Sequence, residues 1–117
     1  MKVLIVDDNP LNRLLPVVWL TCNGYAVEEC PDGRTALERL SEGGFDAVLL
    51  DQSMPGMSGM EVCSRLRASP EGAALRIVAY TAHASPDLVD RLRAVGFDDV
   101  LFKPITSKQL LRALALH

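Results

Sequence analysis

The fold is decided by one stretch of the chain, Val48-Leu49-Leu50-Asp51-Gln52-Ser53-Met54-Pro55-Gly56-Met57-Ser58-Gly59. With Ala47, its first residues form an apolar run, which predicts a strand buried on both faces of a parallel sheet. The run ends at Asp51, and Ser58 followed three residues later by Glu61 predicts the start of a helix. Asp51 is therefore expected at the end of a central strand, where α/β sheets place their chemistry. Taken alone, an aspartate in this position is equally compatible with simple strand termination.

Composition restricts the class of protein. A length of 117 residues, with 49% hydrophobic and 23% charged residues, is typical of one globular domain, so we expect residues 1–117 to form a single domain. The apolar stretches are shorter than the about 20 residues of a membrane-spanning helix, and the N-terminus lacks the pattern of a signal peptide. The net charge of −3 argues against direct binding of nucleic acid.

The cysteines indicate the redox environment. Cys22, Cys30 and Cys63 are odd in number and lack the spacing of a metal site. Reduced, mostly buried thiols in a cytoplasmic protein are the expected state.

The rest of the chain repeats the order of strand and helix. Apolar runs predict four further strands, at Val3–Val6, Tyr25–Cys30, Leu75–Tyr80 and Asp98–Phe102. Capping residues and helical periodicity predict a helix after each strand, starting near Asn9-Pro10, Asp32-Gly33, Ser58, Ser85-Pro86 and Thr106. Strands that alternate with helices form one parallel sheet covered on both faces, so the sequence predicts a doubly wound α/β domain.

Pro16 interrupts the first predicted helix. It removes the hydrogen bond to the Asn12 carbonyl, which costs about 3 kcal/mol in an ideal helix interior. Apolar residues continue at helical spacing on both sides of it, at Leu11, Leu14, Leu15, Val18 and Trp19. We therefore expect one kinked helix.

Polar side chains follow four of the five predicted strands, at Asp7-Asp8, Asp51, Thr81 and Lys103. Each has an ordinary explanation by itself: helix capping for Asp8, strand propensity for Thr81 and solvent exposure for Lys103. Because the carboxyl ends of parallel strands meet at one rim of the sheet, their joint occurrence indicates a single site.

These residue types together favour phosphoryl transfer. Clustered carboxylates attract a hard divalent cation, for which Mg²⁺ is the usual choice. An ionised aspartate is already nucleophilic and can form an aspartyl-phosphate without a separate base. A metal ion, a lysine and a hydroxyl would neutralise charge on the transferring oxygens.

On these residues the chain resembles the receiver domains of two-component signalling over its whole length. The matching motifs are Asp7-Asp8, Asp51 in the quoted stretch, Thr81-Ala82 and Lys103-Pro104. The resemblance implies a flavodoxin-like (βα)5 fold with a five-stranded parallel sheet in the order 2-1-3-4-5. Residues 8–13 and 98–105 look most like receivers fused to hybrid histidine kinases.

The resemblance also implies the metal ligands. Asp8 and Asp51 would bind Mg²⁺ directly, the backbone carbonyl of Ser53 would be a further ligand, and Asp7 would act mainly through water. The expected cofactor is therefore a single magnesium ion at the rim of the sheet.

The resemblance further implies the reaction and the partners. Asp51 would accept a phosphoryl group from a histidine kinase or a histidine phosphotransfer protein, and Thr81 and Lys103 would hold its oxygens. A cis Lys103–Pro104 peptide would aim the lysine at the site. The chain would be a signalling module that catalyses only its own phosphorylation and slow dephosphorylation. The fourth helix, fifth strand and fifth helix would switch and bind a partner or a second copy.

Val100 and Pro16 depart from the family pattern, and His83 adds to it. Pro16 lies in the first helix, the surface on which the resemblance implies that kinase partners dock. Val100 stands where receivers usually carry an aromatic residue that swings inward with the threonine. Phe102 lies on the same strand face and is a partial substitute, so we expect phosphorylation with a weakened readout. His83 is either a residue that tunes hydrolysis or an exposed loop histidine.

Two other functions compete with this interpretation. A constitutive binding module with an inactive site is slightly favoured by Val100 and Pro16 but opposed by the intact Asp8, Asp51, Thr81 and Lys103. An aspartate-nucleophile phosphatase usually needs a second aspartate two residues after the first, where this chain has Ser53.

Overall fold

The computed structural model describes residues 1–83 and 85–114, and strands and helices alternate through them. The strands are Lys2–Val6 (β1), Ala26–Cys30 (β2), Ala47–Asp51 (β3), Arg76–Thr81 (β4) and Asp99–Phe102 (β5). The helices are Pro10–Cys22 (α1), Gly33–Ser41 (α2), Gly59–Arg67 (α3), Pro86–Val95 (α4) and Ser107–Leu114 (α5). All ten predicted elements are confirmed, with small shifts at their ends. In the described part of the chain, none of the helices has the length and apolarity needed to cross a membrane.

The strands form one parallel sheet in the order β2-β1-β3-β4-β5, as the resemblance implied. β3 lies at the centre, and all its residues from Ala47 to Asp51 are buried. β2, at one edge, alternates less regularly and ends at the buried Cys30. The central position of β3 therefore places Asp51 between the ends of β1 and β4.

The sheet separates two apolar cores, because successive strand side chains point to opposite faces. The first core lies under α2, α3 and α4 and includes Val48 and Leu50 of β3. The second lies under α1 and α5 and includes Ala47 and Leu49. Helices therefore cover both faces, as the doubly wound fold requires.

Side chains cap the amino ends of the helices, where amide groups lack helical partners. The cap residues of the first four helices each accept a hydrogen bond from a backbone amide; they are Asn9, Asp32, Ser58 and Ser85. Thr106 and Gln109 form both hydrogen bonds of the predicted capping box, at 2.9 and 3.1 Å. The polar residues that predicted helix starts in the sequence therefore cap helices in the structure.

α1 continues through Pro16 as one helix, and Pro16 itself is buried. Leu20 is the other buried residue of this helix, and Val17 and Trp19 are partly buried against the second core. The opposite side exposes large apolar side chains: Leu11, Leu14, Leu15 and Val18. α1 is therefore apolar on both its inner and its outer face.

The thiols largely agree with the expectation. Cys30 and Cys63 are buried, Cys22 is exposed, and all three are free. Burial raises the pKa of the Cys63 thiol to about 11, so this residue stays protonated and behaves as a core side chain.

Candidate functional site

Strand alternation brings Asp7, Asp51 and Lys103 to one side of the sheet. Two positions before each of them stands a residue that packs in or against the core under α1 and α5: Ile5, Leu49 and Leu101. Because strand side chains alternate with a period of two, the three polar side chains continue the same face beyond or at the strand ends. The alternation of apolar side chains along the strands thus determines the face of the sheet on which Asp7, Asp51 and Lys103 lie.

The Lys103 ammonium bridges two carboxylates. Its Nζ lies 3.3 Å from Asp7 Oδ2 and 3.2 Å from Asp51 Oδ1. Asp7 is 0% and Asp51 2% exposed, whereas the Lys103 side chain is 22% exposed. A buried carboxylate needs a compensating charge, and one lysine supplies it to both aspartates.

Asp8 completes an acidic cluster with these two residues. Asp7, Asp8 and Asp51 each offer one carboxylate oxygen, and the three oxygens lie within 4.8 Å of one another. Asp8 is exposed, so the cluster is open to solvent on one side. Hard oxygen donors at this separation fit Mg²⁺, which would also relieve the repulsion between the carboxylates.

Asp7 is held in place by donors from three parts of the chain. The Asn9 amide donates to Oδ1 at 2.9 Å, the Tyr80 hydroxyl donates to Oδ2 at 2.5 Å, and Lys103 approaches the same Oδ2. Burial opposes the negative charge of Asp7, but these donors together hold its pKa below the ordinary value of 3.8. Asp7 is therefore a stably ionised carboxylate.

Asp51 is ionised less readily than Asp7. Burial and the charge of Asp7 raise the pKa of Asp51, while Lys103 and the Ser53 amide, 3.3 Å from Oδ1, oppose the increase. The neighbouring carboxylates thus differ: Asp7 is the fixed charge and Asp51 is the more basic group. Burial and the charge of Asp7 also raise the pKa of Tyr80, which keeps its hydroxyl protonated as a donor.

Thr81 ends β4 at the same rim and is fully buried. Its Oγ1 accepts a hydrogen bond from the His83 amide at 3.2 Å, while His83 itself is exposed. Within residues 1–83 and 85–114, no hydrogen bond joins the Thr81 side chain to Asp51 or Lys103. The structure therefore places Thr81 in the predicted row of strand ends but engaged with its own loop.

Hydrogen bonds in the loops after β3 and β5 hold the backbone around Asp51 and Lys103. The Lys103–Pro104 peptide is cis, as expected, and the Lys103 amide donates to the Thr81 carbonyl at 2.8 Å. The Ser58 hydroxyl accepts the Glu61 amide at 3.2 Å and starts α3. The Gly59 amide donates to the Gln52 carbonyl at 3.2 Å, which ties the start of α3 to the residue after Asp51.

Tyr80 is the site residue that sequence reasoning missed. It stands directly before Thr81 and two positions after Val78, which packs in the core under α1 and α5. The alternation alone therefore predicts the face on which Tyr80 lies. Nothing local to β4 indicates that its hydroxyl meets Asp7, which is 73 positions away in the chain.

A groove of about 340 Å³ adjoins the site beside Tyr80 and Lys103. It runs between α1 and the loop after β5, and its walls are mainly apolar: Leu11, Leu15, Pro16, Trp19 and Ile105. The exposed face of α1 and the charged rim of the sheet are therefore continuous.

Solved structures that resemble this one include receiver proteins. The chain matches the Vibrio cholerae chemotaxis protein CheY4 with a TM-score of 0.90 and 34% sequence identity, covering 97% of this chain and 94% of that one. It also matches the receiver domain of sensor histidine kinase PA1611 from Pseudomonas aeruginosa PAO1, whose structure has a magnesium ion coordinated in the active site cleft. That match has a TM-score of 0.88 and 31% identity, over 97% of this chain and 93% of the other.

Sensor histidine kinases contain segments similar in sequence to this chain. The chain is 39% identical over 116 residues to the sensor histidine kinase AruS of Pseudomonas aeruginosa, and 36% identical over 110 residues to the signal transduction histidine-protein kinase BarA of Escherichia coli K12. These alignments cover 97% and 94% of this chain but only 12% of each kinase. The model of the response regulator receiver domain matches residues 3–115. This match, which covers nearly the whole fold and the acidic rim with Lys103, shows that the chain belongs to the response regulator receiver domain family.

Proposed function

We propose that the chain is a phosphoacceptor in a two-component phosphorelay. Asp51 takes a phosphoryl group from a phosphohistidine on a histidine kinase or a histidine phosphotransfer protein. The observation that carries this proposal is the Lys103 ammonium between the Asp7 and Asp51 carboxylates, with the Asp8 carboxylate beside them. An ammonium and a metal-binding set around one buried nucleophile are what phosphoryl transfer requires.

In the transfer step, a carboxylate oxygen of Asp51 attacks the phosphorus of the phosphohistidine. The phosphorus–nitrogen bond breaks, its electron pair returns to the imidazole, and the products are aspartyl-phosphate and free histidine. Lys103 then has phosphoryl oxygens to contact in place of Asp51 Oδ1, and the Thr81 hydroxyl leaves the His83 amide to bind another oxygen. No external base is needed, because the reacting carboxylate is ionised.

Asp7, Asp8 and Asp51, with the backbone carbonyl of Ser53, are the groups that would hold Mg²⁺. When bound, the ion supplies positive charge to the phosphoryl oxygens. The separation of at most 4.8 Å between the three carboxylate oxygens supports this assignment, as does the magnesium ion in the related PA1611 receiver domain.

The outer face of α1 and the adjoining groove are the surface on which a phosphohistidine donor would dock. Leu11 is 76% and Leu14 58% exposed, and Lys103 forms part of the groove wall. An apolar helix face of a donor protein would cover these side chains and bring its phosphohistidine to the rim. Free buried thiols favour a cytoplasmic setting for this exchange.

Phosphorylation would bias two arrangements of the face formed by α4, β5 and α5. This face is where an output partner, or a second copy of the chain, would bind. Thr81 would connect the phosphoryl site to this face, because it pairs in register with Phe102 of β5.

The decisive experiment is intact mass measurement after incubation with acetyl phosphate and Mg²⁺. One added phosphoryl group is expected on the parent and on the surface control Asp90→Asn. None is expected on Asp51→Asn, or on the parent without Mg²⁺. If the parent shows no adduct, a phosphohistidine donor is tested, since some receivers ignore small donors; no adduct with either donor would refute the proposal.

Val100 supports a second candidate, a module that binds partners without phosphorylation. This residue packs against the first core, under α2, α3 and α4, and offers no aromatic ring to follow Thr81. Partner binding of equal affinity by the parent and by Asp51→Asn, together with no phosphoryl adduct, would favour this second function.

A further inference from the structure

Tyr80 touches two members of the proposed phosphoryl site at once. Its hydroxyl donates to Asp7 Oδ2 at 2.5 Å, and the Lys103 ammonium lies 4.5 Å from the centroid of its ring. Tyr80 is 1% exposed and Asp7 is 0% exposed, so their hydrogen bond is closed to solvent, whereas the Lys103 side chain keeps 22% of its surface exposed. We propose that Tyr80 is a positioning residue that fixes Asp7 and Lys103 in the arrangement the site needs to bind Mg²⁺; this inference rests on the proposed function.

The hydrogen bonds of Asp7 show why an additional donor matters. Oδ1 is bound by the Asn9 amide, which belongs to the same loop as Asp7. Oδ2 receives Tyr80 and Lys103, but Lys103 is also bound to Asp51 at a similar distance. Tyr80 is thus the one donor in this set that binds Oδ2 alone and lies on an internal strand, β4, paired on both sides. Without it, the orientation of the carboxylate would depend on a lysine divided between two anions.

The ring of Tyr80 contributes separately from its hydroxyl. The negative face of an aromatic ring attracts an ammonium group, and Lys103, whose side chain is 22% exposed, is partly shielded from water here. Lys103 is therefore drawn toward the Tyr80 and Asp7 side as well as toward Asp51. The ring also forms part of the groove beside α1, so it separates the charged rim from the apolar side chains there.

A buried tyrosine at this position is not required by packing alone. The neighbouring core positions of β4 are filled by Val78 and Ala79, and a buried hydroxyl is costly unless it has a hydrogen-bond partner. Asp7 is that partner. The Tyr80 hydroxyl is therefore best explained by its hydrogen bond to the Asp7 carboxylate.

The test uses Tyr80→Phe, which keeps the ring and removes the hydroxyl. Tyr25→Phe is the matched control, because Tyr25 is the other tyrosine of the chain and packs against the same core. Mg²⁺ affinity is measured by isothermal titration calorimetry, and thermal unfolding in the presence of a chelator reports on the fold. Tyr80→Phe should raise the Kd for Mg²⁺ by about 10-fold, the lower end of what loss of a group orienting a metal ligand costs. Tyr25→Phe should leave the Kd unchanged.

Two further variants separate positioning from general packing. Tyr80→Leu also removes the ring and should weaken Mg²⁺ binding more than Tyr80→Phe does. In an Asp7→Asn background, Tyr80→Phe should change the Kd no further, because the group it orients no longer carries the charge. A shift in the unfolding temperature with an unchanged Kd would mean that Tyr80 is only structural.

The outcomes distinguish this inference from the function on which it rests. If the parent binds Mg²⁺ and Tyr80→Phe binds it equally well or more tightly, the inference is overturned and the proposed function stands. If the parent binds no Mg²⁺ and takes no phosphoryl group, both are overturned.

Discussion

Gly59 lies against the backbone of Asp51: a Cβ on residue 59 would lie only 2.5 Å from the Asp51 carbonyl oxygen. Side-chain carbons do not approach backbone oxygens so closely, so a larger residue would have to displace one chain or the other. α3 can begin at this point because its first residue is a glycine. The close approach brings the helix start against the strand end that carries Asp51.

Gly59→Ala should therefore destabilise the protein although alanine favours helices. Overpacking of this kind costs about 1–3 kcal/mol, more than the about 0.5–1 kcal/mol gained from helix propensity. Urea unfolding of Gly59→Ala and of the exposed α3 control Ser64→Ala measures the difference. The acetyl phosphate reaction of Gly59→Ala should also be slower, because the shift is transmitted to Asp51. Stability equal to that of Ser64→Ala would contradict the prediction.

Asp51→Asn should stabilise the protein at neutral pH in the absence of Mg²⁺. Burial and the charge of Asp7 raise the pKa of Asp51 above 3.8, so the folded protein holds this proton to higher pH than the unfolded chain does. Above the pKa of Asp51 in the folded state, the ionised carboxylate lowers the free energy of unfolding. As the pH falls through that pKa to below 3.8, the carboxylate is protonated in both states and this destabilisation disappears. The expected gain is about 1 kcal/mol, the common scale for relieving strain at a functional site.

Denaturant unfolding of the parent and of Asp51→Asn, from neutral pH down to below 3.8, measures how the difference in free energy of unfolding depends on pH. The difference should shrink as the pH falls, and Asp90→Asn, exposed on α4, should show no such trend. A benefit that grows toward acid would mean that Asp51 is held as an anion by its neighbours. Addition of Mg²⁺ should reduce the benefit at neutral pH by stabilising the parent alone.

Arg67 is the main cross-link at the opposite end of the sheet. Its guanidinium donates to the carbonyls of Gly72, Leu75 and Gly96 at 2.7 to 2.9 Å and pairs with Asp98 at 2.8 Å. Arg67→Met should cost about 2–3 kcal/mol, because partly buried carbonyls lose their donors. Arg65→Met is the control: this exposed arginine of α3 makes only a 3.6 Å pair with Glu61 and should matter by less than about 0.5 kcal/mol.

Denaturant unfolding compares the two arginine variants, and the extent of phosphorylation by acetyl phosphate should be the same in both. Equal stabilities would show that water replaces the Arg67 contacts without cost.

Phe102 should remain at the surface when the site is occupied by the phosphoryl mimic beryllofluoride. It is 39% exposed and lies opposite Thr81 in the strand register, whereas Val100, where the family has its aromatic, lies opposite Ala79. Structures with and without the mimic should show Thr81 moving without Phe102. In Val100→Tyr, the new ring should turn inward together with Thr81. An inward swing of Phe102 in the parent would refute the weakened readout.

The sequence was sufficient for the ten elements because their signals are local, whereas the strand order came from the resemblance to receiver domains. Apolar runs, capping residues such as Thr106 and the turns between them determine elements that adjoin in the chain. The positions of Asp7, Asp51 and Lys103 followed from the same information, since parallel strands share one rim and side chains alternate. The roles of these residues in phosphoryl transfer stay predictions until the mass experiment is done.

Tyr80 and the outer face of α1 required the structure. The Tyr80 hydroxyl meets Asp7 through the order and register of three strands, which periodicity in β4 does not contain. α1 has apolar residues on two faces, and their spacing does not tell which face is covered. Only the packing of Leu20 against the second core shows that Leu11 and Leu14 point outward.

The position of Arg67 has a consequence for how this protein can vary. Arg67 secures the segments that lead into the amino ends of β4 and β5, while the carboxylates and Lys103 lie at the carboxyl ends. The six residues of β4 separate the two ends by about 17 Å, far enough for substitutions at them to act additively. Stability and the chemistry of the acidic rim can therefore change independently in evolution, each at its own end of the same strands.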